Sequence, residues 1–503
     1  MLRLGSMRAP ASLPPLLVTA AVVAALNGAV YLTASAGFGG SAGFPLDDSW
    51  IHQTFARNLA TLGQMAVNPG EPVSASTSPA WTLVLAVGYL LGMPPQLWPA
   101  LLGWALLVAL ARETTLLART VFPGRGNLHW WAGILTIAEW RLVWAAFSGM
   151  ETLLFTVVTL ALLRHAAVTS VRGRALLGAG AGLLFLVRPE GAILGALAGG
   201  IQLLDFNRRW RSFVVYVLAA GAVALPFVLF NLAVGGRPLP AAFYAKNAGY
   251  ASPVDVLNLL AYLQGAAVEL SHGPVILLVP GLMFGLARRF PGTPPGWALP
   301  LLWAGCLLAA YMIWLPVLYH HGRYLMPLLP IVVIYGLHGS GLLLNALGRR
   351  RLFGATARTA LALLWIVGWG RGVQIFAGNT RWVNQQQVQA ALWLRDHTPA
   401  SAVVGTHDIG ALSYFAGRPL VDIAGLATKE LVDSPKDVDR VMVTLTRSGV
   451  TYLAVFPDWY PPLYDRLRAD PGVTVVHQGV AVDEFGGSRL PMQVLKWDWA
   501  PGR

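Results

Sequence analysis

Long apolar runs, separated by short stretches that carry arginine, occupy most of the first 380 residues. A helix needs about 20 apolar residues to cross a bilayer, and shorter runs can cross with help from neighbouring helices. The pattern predicts a polytopic α-helical membrane protein with about 11 spans, or 12 to 13 if the run at 80–92 crosses rather than dips into the membrane. The predicted spans lie at about 14–33, 97–117, 129–147, 150–168, 175–188, 191–204, 212–230, 273–288, 297–318, 325–346 and 355–375.

Arginine clusters between these runs set the orientation of the predicted spans. Arg3 and Arg8 precede the first run, so the positive-inside rule predicts a cytoplasmic N-terminus, outer loops at 34–96 and 231–272, and an extracytoplasmic tail. A signal peptide cleaved near residues 34–36 is the alternative, and it leaves the same loops outside. We favour a retained span in the cytoplasmic (inner) membrane, because the run is longer than a typical signal core.

The stretch after the first run begins with Pro45 and the adjacent acids Asp47 and Asp48. Apolar residues then recur at helical spacing as far as Leu62, which predicts an amphipathic helix in the membrane interface. Asp48 or Ser49 is expected to be its N-cap, because both side chains can accept the first free amide hydrogens. Asp47, just outside the cap, is then free to act as a general base. The alternative is that both acids are solvated and only cap the helix.

The pattern changes again after about residue 380, where short apolar stretches alternate with amphipathic ones. This alternation predicts a soluble extracytoplasmic α/β domain over 381–503, joined to a transmembrane domain over 1–380. About 120 residues can bury a modest core, which we expect to dock over the outer loops. Expected helices lie at 385–397 and 434–448, and expected strands at 402–406, 452–456, 473–476 and 493–497.

Composition and charge support this division. The chain is 55% hydrophobic and only 12% charged, with a mean hydropathy of +0.57, as expected where membrane spans dominate. Residues 1–380 contain 24 of the 36 Lys and Arg residues but 10 of the 23 Asp and Glu residues, whereas 381–503 contain 12 and 13. The net charge of +13 therefore comes mainly from arginines in loops between spans. It indicates membrane topology rather than binding to nucleic acid.

Acidic residues gather on the predicted outer face, where seven of the ten acids before residue 381 fall. Two of them, Glu151 and Glu190, lie in very short turns between predicted spans, which would hold each side chain at a fixed depth. They are candidates for a site. The alternative is that both are acids at helix N-termini, favoured there by the helix dipole.

Lys246, in the outer loop that follows the 212–230 run, is the only lysine among the first 380 residues. A compact ammonium beside Tyr244 at the outer interface suits the phosphate of a lipid-linked molecule. The alternative is interfacial anchoring, in which the lysine extends its charge to the membrane surface beside aromatic residues.

The segment 319–327 forms the entrance to another predicted span and carries two adjacent histidines, followed by Arg323 and Tyr324. Adjacent histidines cannot both face one site from a regular helix, which argues against zinc. Arg323 with Tyr324 is a better pair for a phosphate. Glu139 and Arg141 are buried charges within an apolar run, but a spacing of two places them on different faces of a helix, so no pair is predicted.

Several motifs that would indicate other chemistry do not occur in the sequence. It has no P-loop, no GxGxxG, no Ser/His/Asp signature and no CxxC, which counts against an ATP-driven pump, a nucleotide-sugar Rossmann enzyme and a thiol enzyme. The single cysteine, Cys306, excludes an intrachain disulfide. No charged pathway runs through the predicted spans, which weakens an ion-coupled transporter.

Eight short sequence blocks follow one another along the chain. They are Asp47-Asp-Ser-Trp-Ile-His, Val67-Asn-Pro-Gly-Glu-Pro-Val, Ser76-Thr-Ser-Pro-Ala-Trp, Ser148-Gly-Met-Glu-Thr, Arg188-Pro-Glu-Gly, Pro238-Leu-Pro-Ala-Ala-Phe-Tyr-Ala-Lys, Gly322-Arg-Tyr-Leu-Met-Pro and His407-Asp-Ile-Gly-Ala-Leu-Ser-Tyr-Phe. Taken in order, these blocks resemble the GT-C superfamily of integral-membrane glycosyltransferases, most closely the bacterial branch with terminal arabinofuranosyltransferases and protein mannosyltransferase-like enzymes. The resemblance extends over nearly the whole chain. The acidic pair is Asp-Asp where many members have Asp-Glu.

The resemblance implies a membrane glycosyltransferase that moves a monosaccharide from a polyprenyl-phosphate donor to a glycan, glycolipid or protein acceptor. It implies Asp47 as the base, with Asp48 beside it in the catalytic site. It leaves a divalent metal open, since only part of the superfamily uses one. It implies Lys246, with Arg188 or Arg323, as the ligands of the donor phosphate. Tyr244 and Tyr324, which accompany these cations in the sequence, are further candidates for the phosphate. Candidate acceptor or supporting residues are Glu151, Glu190, His52, Arg141, His407 and Asp408.

A rival class is a non-catalytic flippase or transporter of lipid-linked sugars, or a membrane scaffold whose tail binds a partner. A transporter should line its spans with polar groups, whereas a transferase should gather them at one face of the membrane. The sequence shows the second arrangement.

Overall fold

A computed structural model describes residues 13–38, 42–124, 127–203, 209–250, 255–347, 352–480 and 490–498. Helices make up the part before residue 384, and a mixed sheet with flanking helices follows. The helices of the first part are α1 (Leu13–Phe38), α2 (Asp47–Leu62), α3 (Pro79–Leu90), α4 (Leu97–Val121), α5 (Leu128–Ile137), α6 (Trp140–Phe147), α7 (Thr152–His165), α8 (Val171–Val187), α9 (Gly191–Leu203), α10 (Arg209–Gly235), α11 (Ala241–Tyr250), α12 (Val256–Ser271), α13 (Val279–Ala287), α14 (Leu299–Trp314), the short turn α15 (Tyr319–Gly322), α16 (Leu329–Ala346) and α17 (Leu352–Val383).

Within the described ranges, six helices are long and apolar enough to cross a membrane, and two sharply bent pairs would raise the number to eight. The prediction of a multi-span membrane protein is therefore confirmed at this coarser level. The run at 80–92 forms α3, whose 12 residues extend for only about 18 Å, less than the bilayer core. The six long segments are Leu13–Gly37, Leu97–Val121, Trp210–Gly235, Gly296–Trp314, Tyr319–Ala346 and Thr359–His397.

The predicted span at 129–147 is broken into α5 and α6 at Glu139. Glu139 has an extended backbone (φ −73°, ψ 120°) and acts as the N-cap of α6. Its carboxylate accepts hydrogen bonds from the Arg141 amide at 2.8 Å and from the Arg141 Nε at 2.9 Å. The prediction that these two residues do not pair is wrong, because a spacing of two separates faces only where the helix is continuous.

Helix α2 begins at Asp47, two or three residues earlier than a cap at Asp48 or Ser49 would place its start. Its N-cap is Leu46, with no side-chain capping bond, and the Ser49 hydroxyl instead donates to the Ser148 carbonyl at 2.6 Å. The prediction that Asp48 or Ser49 caps the helix is therefore wrong. The side chains of both acids remain available for partners elsewhere in the chain.

The C-terminal part contains a five-stranded sheet in the order β2-β1-β3-β5-β4, which confirms the predicted α/β domain. Strands β1, β2 and β3 are parallel, whereas β5 runs antiparallel to both β3 and β4. The strands are β1 (Val403–Thr406), β2 (Leu420–Asp422), β3 (Val450–Val455), β4 (Val473–Gln478) and β5 (Gln493–Trp497), and the helices are α18 (Gln389–His397), α19 (Ile409–Phe415), α20 (Val438–Arg447) and α21 (Pro461–Arg468).

Two details of this sheet domain differ from the sequence prediction. The three-residue strand β2 was not predicted, because Leu420–Asp422 is too short to show a period. The helix predicted at 434–448 begins at Val438, after an Asp437 cap that accepts from the Arg440 amide at 3.0 Å.

Helix α17 continues through a π-helical turn (Asn384–Val388) into α18, so the two parts are joined by continuous helix.

One hydrophobic cluster connects the segment between α1 and α3 to the sheet domain. Phe44, Trp50 and Phe55, each at most 2% exposed, pack in the same cluster as Val404 and Leu412 of the sheet domain. The Trp50 ring lies 4.6 Å from the Phe415 ring in an edge-to-face contact, an arrangement that aromatic pairs favour. The sheet domain is therefore part of the same folded body as the loop that carries Asp47 and Asp48.

Replacing Trp50 with alanine should destabilise this contact by about 3–5 kcal/mol, because the cavity left behind adds to the lost burial. Thermal unfolding of the detergent-solubilised protein and protease sensitivity of the sheet domain would measure the loss. Leu62→Ala, on the same helix but 48% exposed, is the matched control and should change stability by less than about 0.5 kcal/mol. Equal melting temperatures for both variants would contradict the shared core.

Candidate functional site

A cavity of about 460 Å³ lies between the membrane helices and the sheet domain. One wall is apolar, with contributions from Phe185, Ile193 and Trp314, and Ile409 and Leu426 of the sheet domain also line the cavity. Charged and polar side chains are also part of the lining. Of the predicted site residues, those that line the cavity are Asp48, His52, Glu151, Arg188, Glu190, Lys246, Arg323 and Tyr324.

Asp48 faces the cavity and forms an ion pair with Arg323. Its Oδ2 lies 2.6 Å from Arg323 Nη2, and the arginine side chain is only 4% exposed. Burial alone would raise the pKa of Asp48, but the Arg323 guanidinium and the Lys246 ammonium outweigh burial and hold this pKa well below its usual range. Asp48 is therefore ionised beside these two cations.

Asp47, its neighbour, points away from the cavity into the sheet domain. Its two carboxylate oxygens accept from the amides of Gly410 and Ala411 at 2.8 and 2.7 Å, at the start of α19. A Cβ on Gly410 would lie 2.0 Å from the Asp47 carbonyl oxygen, so this approach requires glycine. Burial raises the pKa of Asp47 to about 7, although the two amides act in the opposite direction. Asp47 thus connects α2 to the sheet domain.

Asp408 and His407 lie beside this connection but do not line the cavity. Asp408 accepts from Gln387 Nε2 at 2.9 Å. Its pKa is well above the usual value, first because it is buried and then because Asp47 is close. Burial lowers the pKa of His407 to about 3, so this imidazole is neutral.

The turns that carry Glu151 and Glu190 meet around Arg188. Arg188 Nη1 lies 3.5 Å from Glu151, and Arg188 Nε pairs with Glu190. On its other side, Glu151 Oε2 lies 3.3 Å from His52 Nε2. Glu151 precedes α7 without a side-chain capping bond, so its carboxylate serves this cluster rather than the helix terminus. The sharp bend of 116° between α6 and α7 brings Glu151 to the cavity.

Arg323 is presented by an unusual backbone segment that the sequence did not reveal. His320, His321 and Gly322 have φ angles of 55°, 61° and 65°, three consecutive residues in the left-handed region. Each non-glycine residue there costs roughly 1–2 kcal/mol, which the surrounding packing must offset. His321 Nε2 pairs with Asn379 Oδ1 at 2.9 Å. Arg323 Nη1 is buried with no hydrogen-bond partner among the described residues, so it can bind a ligand.

Two further predicted site residues also lie outside the cavity. Arg141 pairs with Glu139 and donates to the Glu269 carbonyl at 2.5 Å in a separate buried cluster. The Tyr244 ring lies under the Arg237 guanidinium, 4.8 Å from its central carbon. The sequence could not show which way either side chain turns.

The residues present do not form a metal site. Among the described residues, no group of three or more His, Cys, Asp or Glu side chains could hold a metal ion. The two adjacent acids diverge, since Asp47 bonds to backbone amides and Asp48 pairs with Arg323. We therefore derive no chemical step through a metal.

Comparison with known proteins identifies a sequence relative. A family profile described as a domain of unknown function (DUF8728) matches residues 378–488, most of the sheet domain. The chain is 31% identical over 367 residues to the terminal β-(1→2)-arabinofuranosyltransferase of Mycobacterium tuberculosis (strain ATCC 25618 / H37Rv). This match covers 64% of the chain and 57% of the relative, so the chain spans somewhat more than half of that protein.

Solved structures with the same fold come from three kinds of membrane protein. ArnT from Cupriavidus metallidurans, bound to undecaprenyl phosphate, has a TM-score of 0.59 at 15% identity, over 97% of this chain and 98% of that one. The oligosaccharyltransferase AglB from Archaeoglobus fulgidus, in complex with an inhibitory peptide and a dolichol-phosphate, has a TM-score of 0.56 at 12% identity, over 88% of this chain and 69% of that one. Arabinofuranosyltransferase AftD from Mycobacteria has a TM-score of 0.50 at 19% identity, over 95% of this chain and 40% of that one. The predicted resemblance to the GT-C superfamily is confirmed.

Substituting Asp47 with asparagine should flatten part of the pH dependence of stability. The pKa of Asp47 is about 7 in the folded protein against an ordinary 3.8, so between these values the folded state binds a proton that the unfolded state releases. The stability contributed by this protonation is full below about pH 4 and is lost as the pH rises through about 7. Thermal unfolding between about pH 4 and pH 8 would measure the slope.

Asp48→Asn is the matched control for this experiment. Because the pKa of Asp48 is lowered, its carboxylate is ionised throughout that window. Its removal should keep most of the pH slope and reduce it only slightly, because the Asp48 charge is the smallest of the causes acting on the pKa of Asp47. Parallel pH profiles for wild type and Asp47→Asn would show that Asp47 is not protonated near neutral pH.

Proposed function

We propose that this protein is a membrane glycosyltransferase that moves a monosaccharide from a polyprenyl-phosphate donor to a hydroxyl of an envelope glycan, glycolipid or protein acceptor. One observation carries the proposal: a single cavity joins three carboxylates, three cations and an apolar wall, with Asp48 beside Arg323 and Lys246. The named activity of the M. tuberculosis relative favours arabinofuranose as the sugar. The lipid phosphates in the names of the ArnT and AglB structures support a lipid-linked donor.

The cations suit the phosphate of the donor. Arg323, with its unpartnered Nη1, and Lys246 lie beside Asp48, and Arg188 lines the same cavity. The phosphate leaves already ionised, so the protein must stabilise its growing charge rather than protonate it. Fixed cations in a site that excludes water do this at little reorganisation cost. The guanidinium of Arg323 can bind two phosphate oxygens at once.

The apolar wall suits the first prenyl units of the donor. Phe185 and Ile193 come from α8 and α9, whereas Trp314, at the end of α14, is 59% exposed and lies at the rim. A prenyl chain that enters between these helices would keep its tail in the bilayer and its phosphate at the cations. The sugar would then project toward Asp48.

We assign the base to Asp48 rather than Asp47, because Asp48 faces the cavity. In the reaction, Asp48 takes the proton from the acceptor hydroxyl, the hydroxyl oxygen bonds to the anomeric carbon, and the bond from that carbon to the phosphate breaks. The phosphate keeps the bonding electrons. When the donor phosphate binds Arg323 and Lys246, its negative charge offsets the effect of these cations on Asp48. The pKa of Asp48 therefore rises, and the carboxylate becomes a stronger base.

Asp47 acts as a positioning residue in this scheme. Its bonds to the Gly410 and Ala411 amides set the first turn of α2 and therefore the direction of Asp48.

We further propose that the site and the sheet domain lie on the extracytoplasmic side of the cell membrane. About 11 crossings with the arginine clusters inside produce that orientation.

Asp48→Asn should lower kcat by roughly 10²- to 10⁴-fold, as expected when a general base is lost. Transfer to a synthetic acceptor from polyprenyl-phosphate arabinose, with purified protein in lipid nanodiscs, would measure it. Glu71→Gln changes an exposed acid in the same outer loop and should leave kcat unaltered. Wild-type kcat in Asp48→Asn, together with a large loss in Asp47→Asn, would return the base to Asp47.

Lys246→Ala should weaken donor binding, and Lys246→Arg should restore it only in part, because a planar guanidinium replaces a compact charge. If Lys246 only anchors the loop at the interface, Arg should restore function fully and Ala should lower stability without a selective donor defect. The donor KM and a direct titration of polyprenyl phosphate separate these outcomes. Lys429→Ala, at an exposed position of the sheet domain, is the control for a general loss of positive charge.

A further inference from the structure

The parallel strands of the sheet end beside the cavity. Strands β1 and β3 run in the same direction, so the residues that follow them, His407 and Phe456–Trp459, lie at one edge. Ligands of open α/β sheets bind at this carboxyl edge. The same edge reaches the membrane domain through the Gly410 amide and Asp47. It therefore continues from the proposed reaction centre to the surface of the sheet domain.

Trp459 exposes a large aromatic face at this edge. It is 49% exposed, and its ring lies 4.0 Å from the buried His407 ring at an angle of 86°. Behind them, Phe456 stacks on Trp382 at 5.0 Å. The packing against the rings behind it restricts the Trp459 side chain. A ligand that covers this ring therefore costs little side-chain entropy, and we call the exposed Trp459 ring the platform.

Two buried polar atoms beside this platform have no hydrogen-bond partner among the described residues. They are His407 Nε2 and Gln387 Oε1. His407 is 8% exposed and Gln387 is 1% exposed. A buried polar atom without a partner costs about 1–3 kcal/mol, so unpaired groups in native sites need an explanation such as a ligand or water. Gln387 also donates to Asp408 at 2.9 Å, and Asp408 lies near enough to Asp48 for the two groups to interact electrostatically.

We propose that the edge formed by Trp459, His407 and Gln387 is a subsite for a neutral oligosaccharide acceptor, whose terminal sugar extends past Asp408 to Asp48. A sugar presents C–H groups on its faces and hydroxyls around its rim. The faces fit the Trp459 ring, and the hydroxyls fit the unpaired nitrogen and oxygen. This inference rests on the proposed transferase function, because it assigns the acceptor of that reaction.

Charge favours a neutral glycan over an anionic acceptor. Asp458 lies close enough to His407 to influence its pKa, and Asp408 lies on the path toward Asp48. The Asp458 carboxylate at this edge would repel a phosphorylated or carboxylated chain, and the raised pKa of Asp408 favours its uncharged form on the path to Asp48. The cations of the site are instead gathered around Asp48, where the donor phosphate is expected.

The test compares the acceptor KM of variants at this edge. Trp459→Ala should raise the KM for a neutral arabinofuranosyl hexasaccharide roughly three- to tenfold while the donor KM changes little, as expected for one aromatic contact. Trp459→Phe should recover most of the loss. His407→Phe keeps a ring against Trp459 but removes the nitrogen, and it should raise the same KM without lowering the melting temperature. Val443→Ala, 48% exposed in the same domain, is the matched control.

A binding measurement separates this inference from the proposed function. Tryptophan fluorescence, followed while the hexasaccharide is added without donor, should change in wild type but not in Trp459→Ala. If wild type transfers sugar and the acceptor KM is equal in wild type, Trp459→Ala and His407→Phe, the subsite is wrong and the transferase stands. If wild type binds the hexasaccharide through Trp459 but transfers nothing from any polyprenyl-phosphate sugar, the transferase fails and the edge is a glycan-binding surface only. Tighter binding of a phosphorylated glycan than of the neutral one would also overturn the inference.

Discussion

Two adjacent carboxylates at the start of one helix must each find partners, and the site is arranged around that requirement. Asp47 takes two backbone amides from the sheet domain, and Asp48 takes a guanidinium from the turn before α16. Segments more than 270 residues apart in the chain meet there, since 275 positions separate Asp48 from Arg323. Misplacing either the sheet domain or the Arg323 turn would leave a buried charge unpaired, which is far more costly than losing an apolar contact.

Because their partners differ, the pKa of Asp47 is raised and the pKa of Asp48 is lowered. Amides stabilise a carboxylate less than a nearby cation does, so burial dominates at Asp47, whereas Arg323 and Lys246 dominate at Asp48. Residues that are identical and adjacent in the sequence thus differ in what they can do. The sequence suggested one base and one structural acid, and the structure supports the same division with the roles exchanged.

The features that depend on local pattern could be predicted from the sequence. Apolar runs indicated the membrane helices, alternation indicated the sheet domain, and polar residues on one face indicated the charged residues that line the cavity. The break at Glu139, the left-handed turn at His320–Gly322 and the direction of Tyr244 could not be predicted. Each depends on contacts with distant parts of the chain, and none has a period or a motif that a single sequence would show.

The continuous helix from Thr359 to His397 has a mechanical consequence. Its 39 residues form a rod about 58 Å long, with the bilayer around one end and Gln387 near the other. Because the helix is continuous, a change in its tilt displaces Gln387 together with Asp408, which is hydrogen-bonded to it. Bilayer thickness, which sets the tilt of a long helix, is therefore coupled by geometry to the position of the sheet edge above the cavity.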